Sequence, residues 1–323
     1  MERIERIATR TGIRGSGVCL GIGDDAALFQ GRSGFDEILT CDWFVEGTHF
    51  LRHLHQADAV GWKCLARAVS DVAAMGGAPR CFLVSLALGA SDTGPWLDQF
   101  LNGLRRAARR FGCVLAGGDT TQRKDILINV TVVGEVRAGT AVLRSGARPG
   151  DMLFASGRLG EAEMGLRLIR ESKRRANSRD RVLRKHLYPE PRLALGRWLA
   201  KKRLASAMMD LSDGLSTDLP RLCAASGVGA RLEARKLPLA RVPTSRRKHE
   251  DDRLEMALHG GDDYELLFAV PRLKLKQIPR SFDGILITAI GEIKKERTLL
   301  LVNESGREVS LPNRGWDPFR RKR

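Results

Sequence analysis

Aspartates recur at the ends of apolar runs, usually beside glycine, at six places along this chain. They are Asp24/Asp25 in Gly23-Asp24-Asp25-Ala26-Ala27, Asp42, Asp71, Asp119 in Gly117-Gly118-Asp119-Thr120-Thr121, Asp210/Asp213, and Asp262/Asp263 after Gly260-Gly261. Any one of them is an ordinary acidic turn after a strand. Repeated, they constrain the fold, because open α/β sheets place ligands in the crevice beyond their strand ends, where such acids can converge. Adjacent carboxylates repel and are costly to bury unpaired, so a cation is their natural partner. Oxygen-only ligands of this kind suit Mg²⁺, and glycines beside them free backbone N–H groups to hold phosphates. A nucleotide phosphate–Mg²⁺ enzyme is the expectation. No Walker-type loop and no protein-kinase set of motifs accompanies it.

The intervening sequence reads as mixed α/β in two halves joined near residue 140, giving expected domains of 1–140 and 141–323. In the first half, an amphipathic helix (Ile4, Ile7, Ala8) and a glycine-rich turn over 12–17 lead into the first acidic motif. A strand over 37–42 follows, then a helix N-capped by Asp58 that runs to Met75 and is stopped by Gly76, Gly77 and Pro79. A buried strand over 81–88, a helix over 95–111, and a strand over 113–116 that breaks into the Gly117–Thr121 motif come next. Residues 126–133 form a further strand. In the second half, a connector over 144–151 enters a strand over 152–156, and Gly157–Gly160 opens a helix to Arg170. A helix over 191–200, strands over 207–211 and 264–270, and a terminal pair over 285–293 and 298–302 complete the reading.

No run approaches the ~18 apolar residues that a membrane-spanning helix needs, and the charged N-terminus lacks the apolar core of a signal peptide. Six scattered cysteines without a C-x-x-C pair fit reduced thiols in a cytoplasm. The net charge of +17 gathers at 173–185, 241–248 and 320–323. Charge alone specifies no partner. With no nucleic-acid motif and two tyrosines, the chain is not expected to bind nucleic acid.

Taken in order, the motifs become specific. Gly21-Ile22-Gly23-Asp24-Asp25-Ala26-Ala27, Asp42-x-x-Val45-Glu46-Gly47-x-His49-Phe50, Ser70-Asp71-Val72-Ala73-Ala74-Met75-Gly76-Gly77 and Gly117-Gly118-Asp119-Thr120-Thr121 fill the first half. Arg144-Ser145-Gly146-Ala147-x-Pro149-Gly150-Asp151, Asp210-Leu211-Ser212-Asp213-Gly214-Leu215 and Gly260-Gly261-Asp262-Asp263-Tyr264-Glu265-Leu266 fill the second. This collinear set resembles the thiamine-monophosphate kinases, within the aminoimidazole ribonucleotide synthetase-like superfamily.

The resemblance implies an N-terminal α/β sandwich that dimerises through its sheet and a larger C-terminal α/β domain, with ATP in the cleft between them. It implies ATP-dependent phosphorylation of thiamine phosphate to thiamine diphosphate, by direct in-line transfer in a cytoplasmic homodimer. Several Mg²⁺ ions would be held around Asp25, Thr40, Cys41, Asp42, Asp71, Asp119, Asp210 and Asp213. ATP would be contacted at Gly118, Asp119, Arg144 and Ser212, and the substrate at His49, Asp262 and Trp316. Asp42, Asp71, Asp119 and Arg144 would carry the transfer, which needs positioning and charge neutralisation more than covalent chemistry. Asp25 is then the ligand and Asp24 its local support.

Plainer uses stand beside these roles. Asp71 follows Arg67 by one helical turn and could pair with it. Ser212 and Asp213 suit an N-cap. His53 and His55 read as surface residues, and Trp316 as packing for the tail. Three positions depart from the family pattern: Cys41 where threonine is usual, Asp262 where glutamate is usual, and Pro318 where histidine commonly precedes the phenylalanine. Superfamily relatives are expected to show a reactive N-terminal cysteine beside a lysine (selenophosphate synthetase) or a C-terminal cysteine (hydrogenase maturation), and the chain has neither arrangement.

Overall fold

The computed structural model describes residues 18–20, 23–172, 180–242, 249–317 and 319. Gly21 and Ile22, the expected helix at 4–8, the 12–17 turn, Pro318, the 320–323 tail and the basic stretches 173–179 and 243–248 lie outside them.

The first half is a six-stranded sheet backed by two helices. Its elements are β1 (Val18–Leu20), β2 (Ala27–Gln30), β3 (Phe35–Val45), α1 (Ala57–Ala74), β4 (Ala78–Leu88), α2 (Pro95–Phe111), β5 (Val114–Gln122) and β6 (Leu127–Arg137). The sheet order is β1-β2-β3-β6-β4-β5, antiparallel except for β4 and β5. Pleating alternates the side chains: Ile38, Thr40 and Phe44 are buried toward the helices, whereas Cys41 and Trp43 face outward. Ile128, Val130 and Val132 of β6 continue that core with Leu65, Val69 and Phe100. The helices pack without intervening side chains at Gly61 and Gly103. A Cβ on Gly61 would stand 2.1 Å from the Phe100 carbonyl oxygen, and one on Gly103 would stand 1.8 Å from that of Asp58.

The second half holds β7 (Met152–Ser156), α3 (Glu161–Ser172), α4 (Arg181–Leu187), α5 (Leu193–Lys201), β8 (Ala207–Leu211), α6 (Leu215–Ser226), β9 (Gly229–Glu233), α7 (Arg253–His259), β10 (Glu265–Val270), β11 (Ser281–Phe282), β12 (Ile285–Lys294), β13 (Leu299–Val302) and β14 (Glu308–Ser310). The sheet runs β14-β13-β9-β12-β7-β10-β8, with β11 against β12. Both of its faces are covered, one by α6 and α7 and the other by α5. That is why β8 and β10 are buried along their whole length instead of alternating. α1 lies in the seam: Ala74 packs with Leu195 and Leu199 of α5, and Ser70 bonds to Asp210 of β8. No helix among the described residues is long and apolar enough to cross a membrane.

Three sequence expectations are corrected. β5 does not stop before Gly117 but runs straight through the Gly117–Thr121 motif, paired to β4. The 81–88 strand is part of a longer β4 with one face open, so that Leu83 is 43% exposed. Asp58 is not the N-cap of α1; Gln56 precedes the helix, and the Asp58 carboxylate accepts hydrogen bonds from Arg106 and Tyr188.

Candidate active site

Lys63, Arg67 and Asp71 recur every fourth residue of α1 and therefore stand in line on one face. Each reaches a different acid-bearing element. At the far end, Asp71 meets Asp25 and Asp210, with one carboxylate oxygen from each of the three lying within 4.8 Å of the others. The Thr40 hydroxyl donates to Asp71 Oδ2, and Ser70 Oγ donates to Asp210 Oδ2 at 2.7 Å. Burial, reinforced by the charges of Asp42, Asp210 and Asp25, raises the Asp71 carboxyl well above its usual range. Burial and the Asp25 charge push Asp210 up to about 7. Carboxylates held so close must share protons or a cation. Their oxygen-only donor set, buried at Asp25 and Asp210 and half-buried at Asp71, fits a hard divalent ion such as Mg²⁺.

The first acidic motif divides its labour. Asp24 accepts hydrogen bonds from the backbone N–H groups of Asp25 and Arg144, both at 2.9 Å, and so ties the loop to the second half. Asp25 instead receives the Arg144 guanidinium in bidentate fashion, at 2.7 and 3.1 Å. Asp42 faces α1, where Arg67 Nε lies 3.2 Å from its Oδ1. The alternative Arg67–Asp71 pair does not form among the described residues. Asp213 pairs with Arg221 at 2.7 Å. Gly214, not Ser212 or Asp213, is the N-cap of α6. The fully buried Asp218 reaches back instead to accept the N–H groups of Ser212 and Asp213.

At the near end of the stripe is a pocket of about 100 Å³ that His49, Arg67, Ser212, Asp213, Asp262 and Trp316 help to line. Asp262 is held on two sides, by Lys63 Nζ at 2.7 Å and by the Tyr264 hydroxyl at 2.8 Å. Burial works to raise its carboxyl, but Lys63, His186 and Arg67 outweigh it and hold Asp262 ionised far below the usual range. Its neighbours in the motif do other work. Asp263 accepts the N–H groups of Gly160 and Ala162 at the start of α3, and Glu265 is buried against Lys185 and Arg192. His49 receives the Val45 N–H on Nδ1 at 3.0 Å, which leaves Nε2 as the N–H donor. Burial, then the Arg67 charge, lower its pKa to about 4, so the ring is neutral at pH 7. The Trp316 ring lies 6.4 Å from the His49 ring, and the Trp316 backbone N–H donates to the Asp213 carbonyl. It is a pocket residue, not packing for a tail.

Two sets of expected residues are not brought to this place. The Cys41 thiol is on the outward face of β3, 3.1 Å from Asn129 Nδ2, because residue 41 has the opposite pleat parity from Thr40 and Asp42. Gly118 and Asp119 stand on the exposed edge strand β5. The ladder from Asp42 passes through Val130 and Val84 to reach Gly118. Three strand spacings separate them, on the order of 14 Å. Conversely, Lys63, Arg67, Asp218, His55 and His186 belong to the site region without having been singled out as site residues. His55 is buried, not superficial, and its Nε2 is 3.0 Å from His186 Nε2. The four-residue spacing of Lys63, Arg67 and Asp71 was a legible signal; the contact of His55 with a residue 131 positions away was not.

Family models for AIR synthase related proteins match both halves, the N-terminal domain over residues 23–136 and the C-terminal domain over 148–302. The thiamine-monophosphate kinase of Bacillus subtilis (strain 168) is 34% identical over 326 residues, covering 99% of each chain. That of Escherichia coli (strain K12) is 35% identical over 304 residues, covering 93% of this chain and 92% of its own. The chain belongs to the thiamine-monophosphate kinase family. The structure of AaThiL complexed with AMPPCP and TMP superposes with a TM-score of 0.84 at 33% identity, over 98% of this chain and 96% of that one. The E. coli hydrogenase maturation protein HypE shares the fold, with a TM-score of 0.72 at 18% identity. As a member of the kinase family the chain is a phosphotransferase.

Proposed function

We propose that the chain transfers the γ-phosphoryl group of ATP directly to thiamine phosphate, releasing thiamine diphosphate and ADP. The observation that carries this reading is the adjacency of a three-carboxylate cluster to a pocket with an aromatic face, a neutral histidine and a fixed carboxylate. The solved AaThiL complex, with AMPPCP and TMP together, supports it. Asp25, Asp71 and Asp210 would hold Mg²⁺, with Asp42 and Asp213 beside them, and the metal would neutralise phosphate charge that the acids alone would repel. Trp316 offers its ring face to the cationic ring of thiamine, Asp262 an ionised acceptor, and His49 an Nε2–H donor. Arg144 and Ser212 take the nucleotide side. No general base is required, because a phosphate monoester oxygen is already anionic, and in-line transfer then depends on positioning.

The domain boundary near residue 140 and a homodimer belong to the same reading. The outer face of the first sheet exposes Trp43 (56%), Leu83 (43%) and Val114 (68%), and an apolar groove between α2 and β5, which Leu115 helps to line, adjoins Gly118 and Asp119. Pairing two such faces would cover that surface and carry Gly118 and Asp119 toward a shared nucleotide site. Sedimentation as a monomer at micromolar concentration would remove this part. The cytoplasm is the assigned compartment, in keeping with six free cysteines, and fractionation reads it. The main test is incubation with ATP, Mg²⁺ and thiamine phosphate, followed by chromatography. One thiamine diphosphate per ADP is expected; no product, or product from free thiamine alone, would sink the assignment.

A further inference from the structure

Arg67 is the middle residue of the α1 stripe, and neither of its neighbours along the stripe consumes it. Its side chain is only 18% exposed and lines the pocket. Nε lies 3.2 Å from Asp42 Oδ1, close enough for an ion pair. Its N–H is not directed at that oxygen, however, and among the described residues this buried nitrogen has no hydrogen-bond partner. A buried guanidinium with an unmet donor is expensive unless a ligand completes it. The nearest fixed anion, Asp42, supplies one negative charge at one edge and leaves the rest of the fork open.

Position decides which ligand. One turn of α1 toward the N-terminus, Lys63 fixes Asp262 at the ring-binding end of the pocket. One turn toward the C-terminus, Asp71 enters the carboxylate cluster where the triphosphate would lie. Along the helix axis Arg67 is therefore about 6 Å from Lys63 and about 6 Å from Asp71. A substrate whose cationic ring sits at Asp262 and whose phosphate meets the γ-phosphate at Asp71 must pass its own phosphate beside Arg67. We infer that Arg67 is a substrate-contacting residue that binds the phosphate of the acceptor, orients its attacking oxygen, and makes the site select a phosphorylated over an unphosphorylated acceptor. The planar fork suits bidentate phosphate recognition better than an ammonium does. This rests on the kinase reading given above.

Calorimetry separates the two. With magnesium present and ATP absent, thiamine phosphate and thiamine are titrated separately into wild type, Arg67→Gln and Arg67→Lys. Wild type is expected to favour the phosphorylated ligand. Arg67→Gln should lower affinity for thiamine phosphate about ten- to a hundredfold, the range for a hydrogen bond to a charged group, and leave thiamine binding unchanged. In turnover the KM for thiamine phosphate rises while that for ATP does not. Arg67→Lys, which keeps the charge in the same α1 context, recovers part of the preference. If wild type itself shows no preference, the kinase reading and the Arg67 assignment fall together. If wild type discriminates and both variants do so equally, or if Arg67→Gln weakens both ligands alike, the Arg67 assignment alone falls.

Discussion

The two ends of the α1 stripe use the same side chain in opposite electrostatic states. At one end Asp71 and Asp210 crowd against each other and Asp25, and burial together with mutual repulsion raises their pKa values. At the other end Asp262 is as closely surrounded, yet Lys63, His186 and Arg67 overcome burial and lower it. The difference lies in where the compensating charge comes from. The protein supplies its own cation to Asp262, which can then serve as a rigid, permanently ionised recognition group. At Asp71 the protein withholds one, and the carboxylates are left to share protons or a cation that a ligand brings. Asp25 is intermediate, since it carries the Arg144 guanidinium and still contributes an oxygen to the cluster.

The comparison breaks most readily at Asp71. Asp71→Asn removes a repelling charge but keeps an acceptor for the Thr40 hydroxyl. Turnover at saturating Mg²⁺ should fall roughly a thousandfold, several kcal/mol of lost charge stabilisation, while the metal-free protein unfolds at an equal or higher temperature. Near-normal turnover would remove Asp71 from the cluster.

Lys63→Met acts on the other end with the opposite balance. The variant keeps the side-chain volume but leaves Asp262 facing the pocket without its ammonium. Removing one partner of a buried pair costs about 3 kcal/mol, read as a lower urea midpoint, and the KM for thiamine phosphate rises more than that for ATP. If Lys63→Met is as stable as wild type, the paired and unpaired acids differ less than the geometry says.

How much of this was legible depends on what each residue's role requires. The alternation of β3 could be read from Glu37 to Asp42, and with it the inward direction of Asp42. The same parity sends the Cys41 thiol outward, which a list of motif positions conceals. The Gly117–Asp119 motif resembles a loop because glycine and aspartate punctuate turns, but pairing with β4 overrides that preference and stretches it into an edge strand. Asp262 and Asp263 are identical and adjacent, yet one meets Lys63 and the other caps α3. That choice is set by residues some 200 and 100 positions away, outside any local pattern. Positive φ at Asp262 (67°) and Tyr264 (49°) turns the chain there; aspartate tolerates that conformation, but no preference of Tyr264 announces it. The two-half α/β division needed only apolar runs and their spacing.

The smallest effect concerns pH, and its sign follows from the same two environments. Asp210 has a folded pKa of about 7 against an ordinary 3.8. Between those values the folded chain holds a proton that the unfolded chain has released, so the cluster stabilises the fold at low pH and loses that contribution as pH rises toward 7. His49 and His55, lowered by burial to about 4, act in the opposite sense. The unfolded chain binds their protons below 6.5, so their contribution falls as pH drops from 6.5 to 4. A divalent cation replaces protons at the carboxylates and not at these histidines. The rise in unfolding midpoint on adding Mg²⁺ should therefore be larger at about pH 8 than at about pH 5.5, by the equivalent of about 1–2 kcal/mol for one displaced proton. Paired melting curves with and without Mg²⁺ at the two pH values measure it. Asp210→Asn should shrink the difference, whereas Lys63→Met should leave it intact. A Mg²⁺ shift independent of pH in the wild-type protein would place the bound metal away from the Asp25–Asp71–Asp210 cluster.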